Sequence, residues 1–204
     1  MNAELFIIGS GGHGAVVAEI ARAAGWTVAA FIDDKGERQG QTVLDWTVIG
    51  DRQAVPDGAA VALAVGNNAE RLGLLCWAEA RGLSLPVLVH PSAAVSPSAR
   101  LGAGTVVMAQ VAVNARTAIG RACILNTSCS VDHDCVLGDG VHVAPGARLC
   151  GHVEIGAAAM IGVGSSILPS MRVGANSIVG GGSVVVADLG DNVTAFGNPA
   201  RVRI

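Results

Sequence analysis

A chain of 204 residues with 51% hydrophobic content can bury the core of one ordinary domain or two small ones, which excludes a disordered protein. Only 14% of residues are charged, Tyr is absent and Gly reaches 28, a composition that suggests a repeat but lacks the every-third Gly of collagen. A net charge of −3 without a Lys/Arg cluster argues against nucleic acid or an anionic membrane as the main partner and leaves a small ligand.

The opening MNAELFIIGSGGHG has no basic stretch, and its apolar run is too short for a signal peptide or a membrane span. No membrane insertion and a cytoplasmic location are expected. LFIIG reads as a strand, GSGGHG as a turn, AVVAEIARAAG as a helix closing on Gly25, and TVAAFIDD as a second strand ending in acids. In this β-α-β unit Gly9, Gly11 and Gly14 satisfy G-x-G-x-x-G, and Asp33 and Asp34 follow about 20 residues later. A helix N-terminus behind such a turn suits a phosphate. A further strand, AVALAVG, leads to Gly66, Asn67 and Asn68 at the head of a helix running to about Gly82, and LPVLVHP is expected to close the sheet.

Residues 1–90 thus read as an α/β, Rossmann-like half domain, only about half of a six-stranded dinucleotide fold. A mononucleotide or nucleotide sugar fits it better than a dinucleotide, with Gly11, Gly12, His13, Asp33, Asp34, Gly66 and Asn67 as candidate contacts. A plainer alternative stays open: the glycines only allow tight strand-to-helix packing, and His13 is a capping or solvated turn residue.

From residue 91 to 204 the pattern changes. Every sixth residue from Val95 to Val185 is aliphatic. The position two before each is mostly small, as at Thr105, Cys123, Cys129, Cys135 and Ser165, with Met171 the bulky exception, and Gly often follows the aliphatic, as at Gly102 and Gly120. A period of six fits neither a 3.6-residue helix nor a simple hairpin, but it fits short strands and turns wound into a solenoid. Cys76, Cys123, Cys129, Cys135 and Cys150 contain no C-x-x-C pair, so neither a disulfide framework nor a Cys zinc site is indicated. The three hexad cysteines fall in small inward slots, and Cys150 has no activating partner that sequence can show.

The hexads resemble the hexapeptide repeat of left-handed β-helix acyltransferases, in which three hexads make one triangular coil and residues 18 apart stack about 4.8 Å from each other. The segment Leu125 to Gly151 closely resembles the bacterial sugar acetyltransferases of the PglD, PerB and NeuD type. The likeness runs through the whole chain in GSGGHG, FIDD, VGNN, HPSAAVSPSA, LNTSCSVDHDC and GNPARV.

That resemblance implies a left-handed parallel β-helix over 91–204 and an acetyl-CoA-dependent N-acetyltransferase acting on an amino group, the 4-amino group for PglD-like relatives, of a nucleotide-linked deoxyamino sugar. UDP is the favoured nucleotide; a GDP-linked amino sugar or a sialic acid hydroxyl are the alternatives. His133 is implied as general base, a step that suits a neutral imidazole. Asp134 would orient it, with Asp132 a substitute, and the Gly151 N–H, one coil on, would face the developing oxyanion. His142, nine residues after His133, is implied to contact acetyl-CoA together with Gly151, Val163 and Gly181; a partly buried turn histidine is its alternative. His152 and His90 read as structural. A homotrimer with sites between subunits is expected from the relatives.

No metal is expected. The zinc carbonic anhydrases built on the same helix use two close histidines five residues apart, a spacing absent here. A different class, a non-catalytic nucleotide-sugar-binding scaffold, would use the solenoid only as a surface.

Overall fold

Residues 4–203 are described by the computed structural model, and the first of them form a parallel sheet. Strands β1 (Glu4–Ile8), β2 (Thr27–Ile32) and β5 (Ala60–Leu63) run side by side, joined by helix α1 (Gly12–Ala23), with helix α2 (Asn68–Ala80) following β5. Continuous apolar runs such as FII and AFI are what a strand covered on both faces requires. A hairpin unforeseen in the sequence, β3 (Thr42–Val43) and β4 (Trp46–Gly50), extends the sheet to the order β3-β4-β2-β1-β5. Its turn is Leu44-Asp45, with Leu44 at φ 54°, so the Asn-Gly type of signal that marks a tight hairpin is missing. Trp46 fixes it instead, meeting the Phe31 ring edge-on at 6.4 Å.

LPVLVHP does not close this sheet. Strand β6 (Leu88–Val89) pairs in parallel with Val106–Val107 and is already part of the solenoid. The N-terminal sheet gains only a single bridge beyond β5, between Ala60 and Ser84, and Pro86 then interrupts any continued ladder.

From Ala94–Val95 to Val184–Val185 the chain is a succession of two-residue strands, one per hexad, each paired with the strand 18 residues away. Ser130–Val131 stacks on Arg148–Leu149 on a first face, Val136–Leu137 on Glu154–Ile155 on a second, and His142–Val143 on Met160–Ile161 on a third. These three faces make the triangular prism of a left-handed β-helix. From Val113 onward every inward aliphatic is at most 4% exposed, and each contributes roughly 1.5–3 kcal/mol by leaving water. Thr105, Thr117, Ser165, Ser177 and Ser183 and the three hexad cysteines fill the buried small slots beside them. Burial pushes the Cys123 thiol up to about 11 and that of Cys129 to about 12, so both are unreactive thiols at neutral pH.

The backbone repeats as strictly as the side chains. Every sixth residue from Gly104 to Gly182 lies in the left-handed region, with φ between 50° and 71°, at the third position after the inward aliphatic. Most of these residues are not glycine, and each accepts a cost of about 1–2 kcal/mol that coil-to-coil hydrogen bonds offset, as Asp134 N to Ala115 O at 3.0 Å does. Residues 18 apart at this position therefore share one conformation on successive coils. The glycines that directly follow the aliphatic serve another purpose: a Cβ on Gly102 would lie 2.5 Å from the Gly120 carbonyl carbon of the next coil.

The N-terminal layer docks across the third face. Arg71 of α2 is wholly buried and spends all five guanidinium donors there: Nε on Ala122 O, Nη1 on Val65 O and Gly66 O, Nη2 on Gly140 O and Asn68 Oδ1. Asn68 donates to Ala158 O and Ala159 O at 2.9 and 3.1 Å. No helix among the described residues is long and apolar enough to cross a membrane.

Candidate active site

Two separate places carry the residues singled out in the sequence. The first is a cleft of about 280 Å³ at the carboxyl ends of β1, β2 and β5, lined by Gly11, Gly12, His13, Asp33, Asp34 and Gly66. The four glycines of the turn divide the work. A Cβ on Gly14 would sit 2.0 Å from Gly9 O, and one on Gly9, whose φ is 107°, would sit 2.6 Å from Ala64 O. Both therefore allow close packing. Gly11 and Gly12 meet nothing within 4 Å of an added Cβ, so they offer bare backbone to the cleft at the N-terminus of α1, whose own first turn carries no acidic residue. Asp33 is a brace for this turn: its Oδ2 accepts from Ser10 N and Ser10 Oγ at 2.9 and 2.6 Å, and its Oδ1 from Lys35 N at 3.1 Å. Asp34 pairs with Arg52, Nε to Oδ2 at 2.7 Å.

Asn67 does not join this cleft. Its side chain caps α2 by accepting from Glu70 N at 3.0 Å, and it borders an adjoining cleft floored by Met160 and Ile178. Ser10, Lys35, Glu70 and Leu74 do line the first cleft and were not singled out in the sequence. Ser10 lay inside the glycine motif; the others had no local signal.

The second place is the corner between the first and second faces. His133 Nδ1 lies 2.8 Å from Asp134 Oδ2. Gly151, one coil on, lies against the imidazole: a Cβ added there would be 2.6 Å from Cε1 and 2.7 Å from Nε2. Only glycine leaves this ring room, and the Gly151 N–H takes no part in the coil-to-coil ladder among the described residues. Arg116 and the His133 ring together hold the Asp134 carboxyl well below the usual carboxylate range, so it stays ionised. Asp132 is engaged elsewhere, accepting from Asn114 Nδ2 and His133 N, both at 2.8 Å.

His152, which reads as structural in the sequence, stands at this corner. Its ring meets that of His133 at 5.2 Å and 88°, and its Nε2 lies 3.8 Å from Asp134 Oδ2. Sequence spacing held the clue, since His152 is 18 residues beyond Asp134. His90 sits apart, its Nδ1 accepting from Ser92 N at 3.0 Å.

His142 is not at the His133 corner. It lies on the third face between Ile124 and Met160, beneath the docked layer, with Asn126 Nδ2 3.1 Å from its Nε2. Val163 and Gly181 share the corner after the third face, where a Cβ on Gly181 would be 3.0 Å from Val163 Cγ1. Within one chain, then, Gly151 is on one corner, Val163 and Gly181 on another, and the glycine-turn cleft on the side of the prism opposite His133.

His13 and His142 are coupled across the docking surface. His13 Nε2 and His142 Nδ1 are buried without a protein partner. Burial first, then the Arg71 charge, lower both rings from 6.5 to about 4. Their folded pKa lies below the unfolded one, so the unfolded chain binds more protons between those values. Stability is fully present above pH 6.5 and is lost as pH falls toward 4, at up to about 1.4 kcal/mol per pH unit for each ring. Urea midpoints measured from pH 7 to 4.5 are expected to fall steadily, and a midpoint that stays level would contradict this coupling.

The chain can be set beside known proteins. The PglD N-terminal domain family profile matches residues 4–77. The structure of PerB from Caulobacter crescentus in complex with CoA and GDP-perosamine superposes with a TM-score of 0.94 at 45% identity, over 99% of this chain and 98% of that one. The acetyltransferase domain of PglB from Neisseria gonorrhoeae FA1090, in complex with acetyl coenzyme A, gives 0.93 at 40% identity over the whole of both. The UDP-N-acetylbacillosamine N-acetyltransferase of Bacillus subtilis (strain 168) is 42% identical over 108 residues, a stretch that spans 48% of either protein.

Proposed function

The chain belongs to the family of left-handed β-helix sugar N-acetyltransferases that includes PerB and the PglB acetyltransferase domain, and we propose that it acetylates the amino group of a nucleotide-linked deoxyamino sugar with acetyl-CoA. The observation that carries this reading is the His133–Asp134 pair set against Gly151. Asp134 holds the Nδ1 side of the ring, which leaves Nε2 to take the proton that the sugar amine loses as it attacks the thioester. The Gly151 N–H faces the charge that develops on the carbonyl oxygen, and the missing side chain lets the thioester approach. Residues 1–90 supply the acceptor site, with the diphosphate over the bare backbone of Gly11 and Gly12 and the base near Asp33 and Asp34; residues 91–204 supply the chemistry.

These two sites lie on opposite sides of one prism, so the reacting groups meet between chains. We place the acceptor cleft of one subunit against the His133 corner of its neighbour in a homotrimer. The acetyl-CoA arm runs between prisms, past Gly151 of one and Val163 and Gly181 of the next, with the His142 contact at the inner end of the arm, at the edge of the docked layer. Light scattering should return three times the 20.4 kDa chain mass. A monomer at working concentration would sink the shared site.

For the nucleotide, UDP is our first choice. Of the three carboxylates in the cleft, the two nearest the expected base are already engaged, Asp33 by Ser10 and Asp34 by Arg52, which leaves only Glu70, at the head of α2, for the paired N–H donors of guanine. A GDP-linked sugar is the second reading, favoured by the full-length likeness to the GDP-perosamine complex of PerB. Calorimetric titration with UDP and GDP separately decides: heat from UDP supports the first, heat from GDP alone the second, and none from either defeats the nucleotide-sugar reading.

A further inference from the structure

Two acids flank His133 in sequence, and the structure treats them differently. Both are held from the coil before, by residues 18 positions earlier: Asn114 Nδ2 binds Asp132 Oδ1 at 2.8 Å, and Arg116 binds Asp134 through two bonds, Nε to Oδ1 and Nη2 to Oδ2, each 2.7 Å. Asp132, so tethered, receives the His133 backbone N–H instead of its ring. Asp134 presents Oδ2 to the ring. We propose that Arg116 is a positioning residue for catalysis, which fixes the plane of the Asp134 carboxylate and through it the His133 imidazole; this rests on His133 being the base.

The argument is geometric. Asp134 sits half-buried on a turn at φ 60°, on a corner where, among the described residues, only Arg116, His133 and His152 bring a nitrogen within 4 Å of its carboxylate. A carboxylate on such a turn has two free side-chain torsions. Arg116 occupies the same left-handed corner one coil earlier, at φ 59°, so its side chain runs beside that of Asp134 along the prism. A planar guanidinium meets both oxygens at once and removes those torsions; an ammonium cannot, because it is a point donor. Oδ2 is then fixed 2.8 Å from Nδ1, and the opposite edge of the ring is fixed over Gly151. A small misplacement of a base relative to its acceptor is enough to lose a large part of the rate.

The test is a kinetic cycle. Arg116 is exposed, so R116Q and R116K should fold, and thermal melting of each is read alongside. Both are expected to lose kcat by on the order of tenfold, with KM for acetyl-CoA and for the sugar nucleotide within about twofold. Adding guanidinium ion to R116A should restore part of the lost kcat. In a D134N background R116Q should cost nothing further, because Arg116 acts through that carboxylate. Full activity in R116Q, or an equal loss with and without Asp134, would overturn the inference while leaving the base in place. A fully active His133→Ala enzyme would instead overturn the base assignment.

Discussion

Replacing His133 by Ala is expected to lower kcat by about 10²-fold or more at neutral pH, with KM for both substrates nearly unchanged and no loss of fold. The size follows from the role. A positioned general base is worth about 10²–10⁴-fold, and no second group at this corner takes its place. Asp132 is engaged by Asn114 and the His133 amide, and Cys150 has no activating partner. His152 is near, but its Nε2 is turned to Asp134, 3.8 Å from Oδ2. The fold should survive because His133 is exposed on a turn. Turnover measured with acetyl-CoA and the sugar nucleotide checks it. Unchanged turnover would leave the non-catalytic scaffold as the better account of this chain.

Replacing Arg71 by Met should give the largest loss of stability, about 3 kcal/mol or more, seen as a fall in Tm of roughly 10 °C. Arg71 is buried with no carboxylate opposite it among the described residues, and its charge is met there by carbonyl oxygens. Burial pulls its guanidinium down to about 10, which leaves it fully charged at neutral pH. Methionine fills a similar volume but strands the carbonyls of Val65, Gly66, Ala122 and Gly140 in a dry interface. Because two of those carbonyls belong to the sheet domain and two to the β-helix, hydrogen exchange should rise first along the docking surface. A Tm within 2 °C of the parent would show the five bonds to be incidental.

Much of this molecule was legible because the β-helix writes its geometry into single residues. The aliphatic at each sixth place marks a solenoid, and the eighteen-residue coil that the family resemblance implies puts Gly151 beside His133, where it lies against the ring in the structure. The sheet domain was legible through its glycine turn, down to the cleft that Gly11, Gly12, His13, Asp33, Asp34 and Gly66 line. The losses have physical causes. The β3–β4 hairpin turns on Leu44-Asp45, and Leu88–Val89 changes sheets because pairing partners are a tertiary choice. Asn67 caps α2 and borders the adjoining cleft instead of the glycine-turn one, a placement that a local side-chain bond decides. His152 and Arg116 carry no local signal of their own; they reach this corner because they lie 18 residues after and before Asp134. The resemblance implied that His142 contacts acetyl-CoA, and nine residues, half a coil, place it on another side of the prism from His133.

The left-handed corner at every sixth residue also sets which changes of length the chain can accept. Removing one hexad from the prism would leave a plausible local sequence, yet every residue beyond the cut would move to the next face. Arg116, Asp134 and His152 would no longer share a corner if the cut fell among them. Removing or inserting a whole coil of 18 outside that stretch returns every later side chain to its own face, shortening or lengthening the prism without turning it. The fold thus tolerates changes of length in steps of six residues, whereas the corner that joins Arg116, Asp134 and His152 tolerates them only in steps of eighteen.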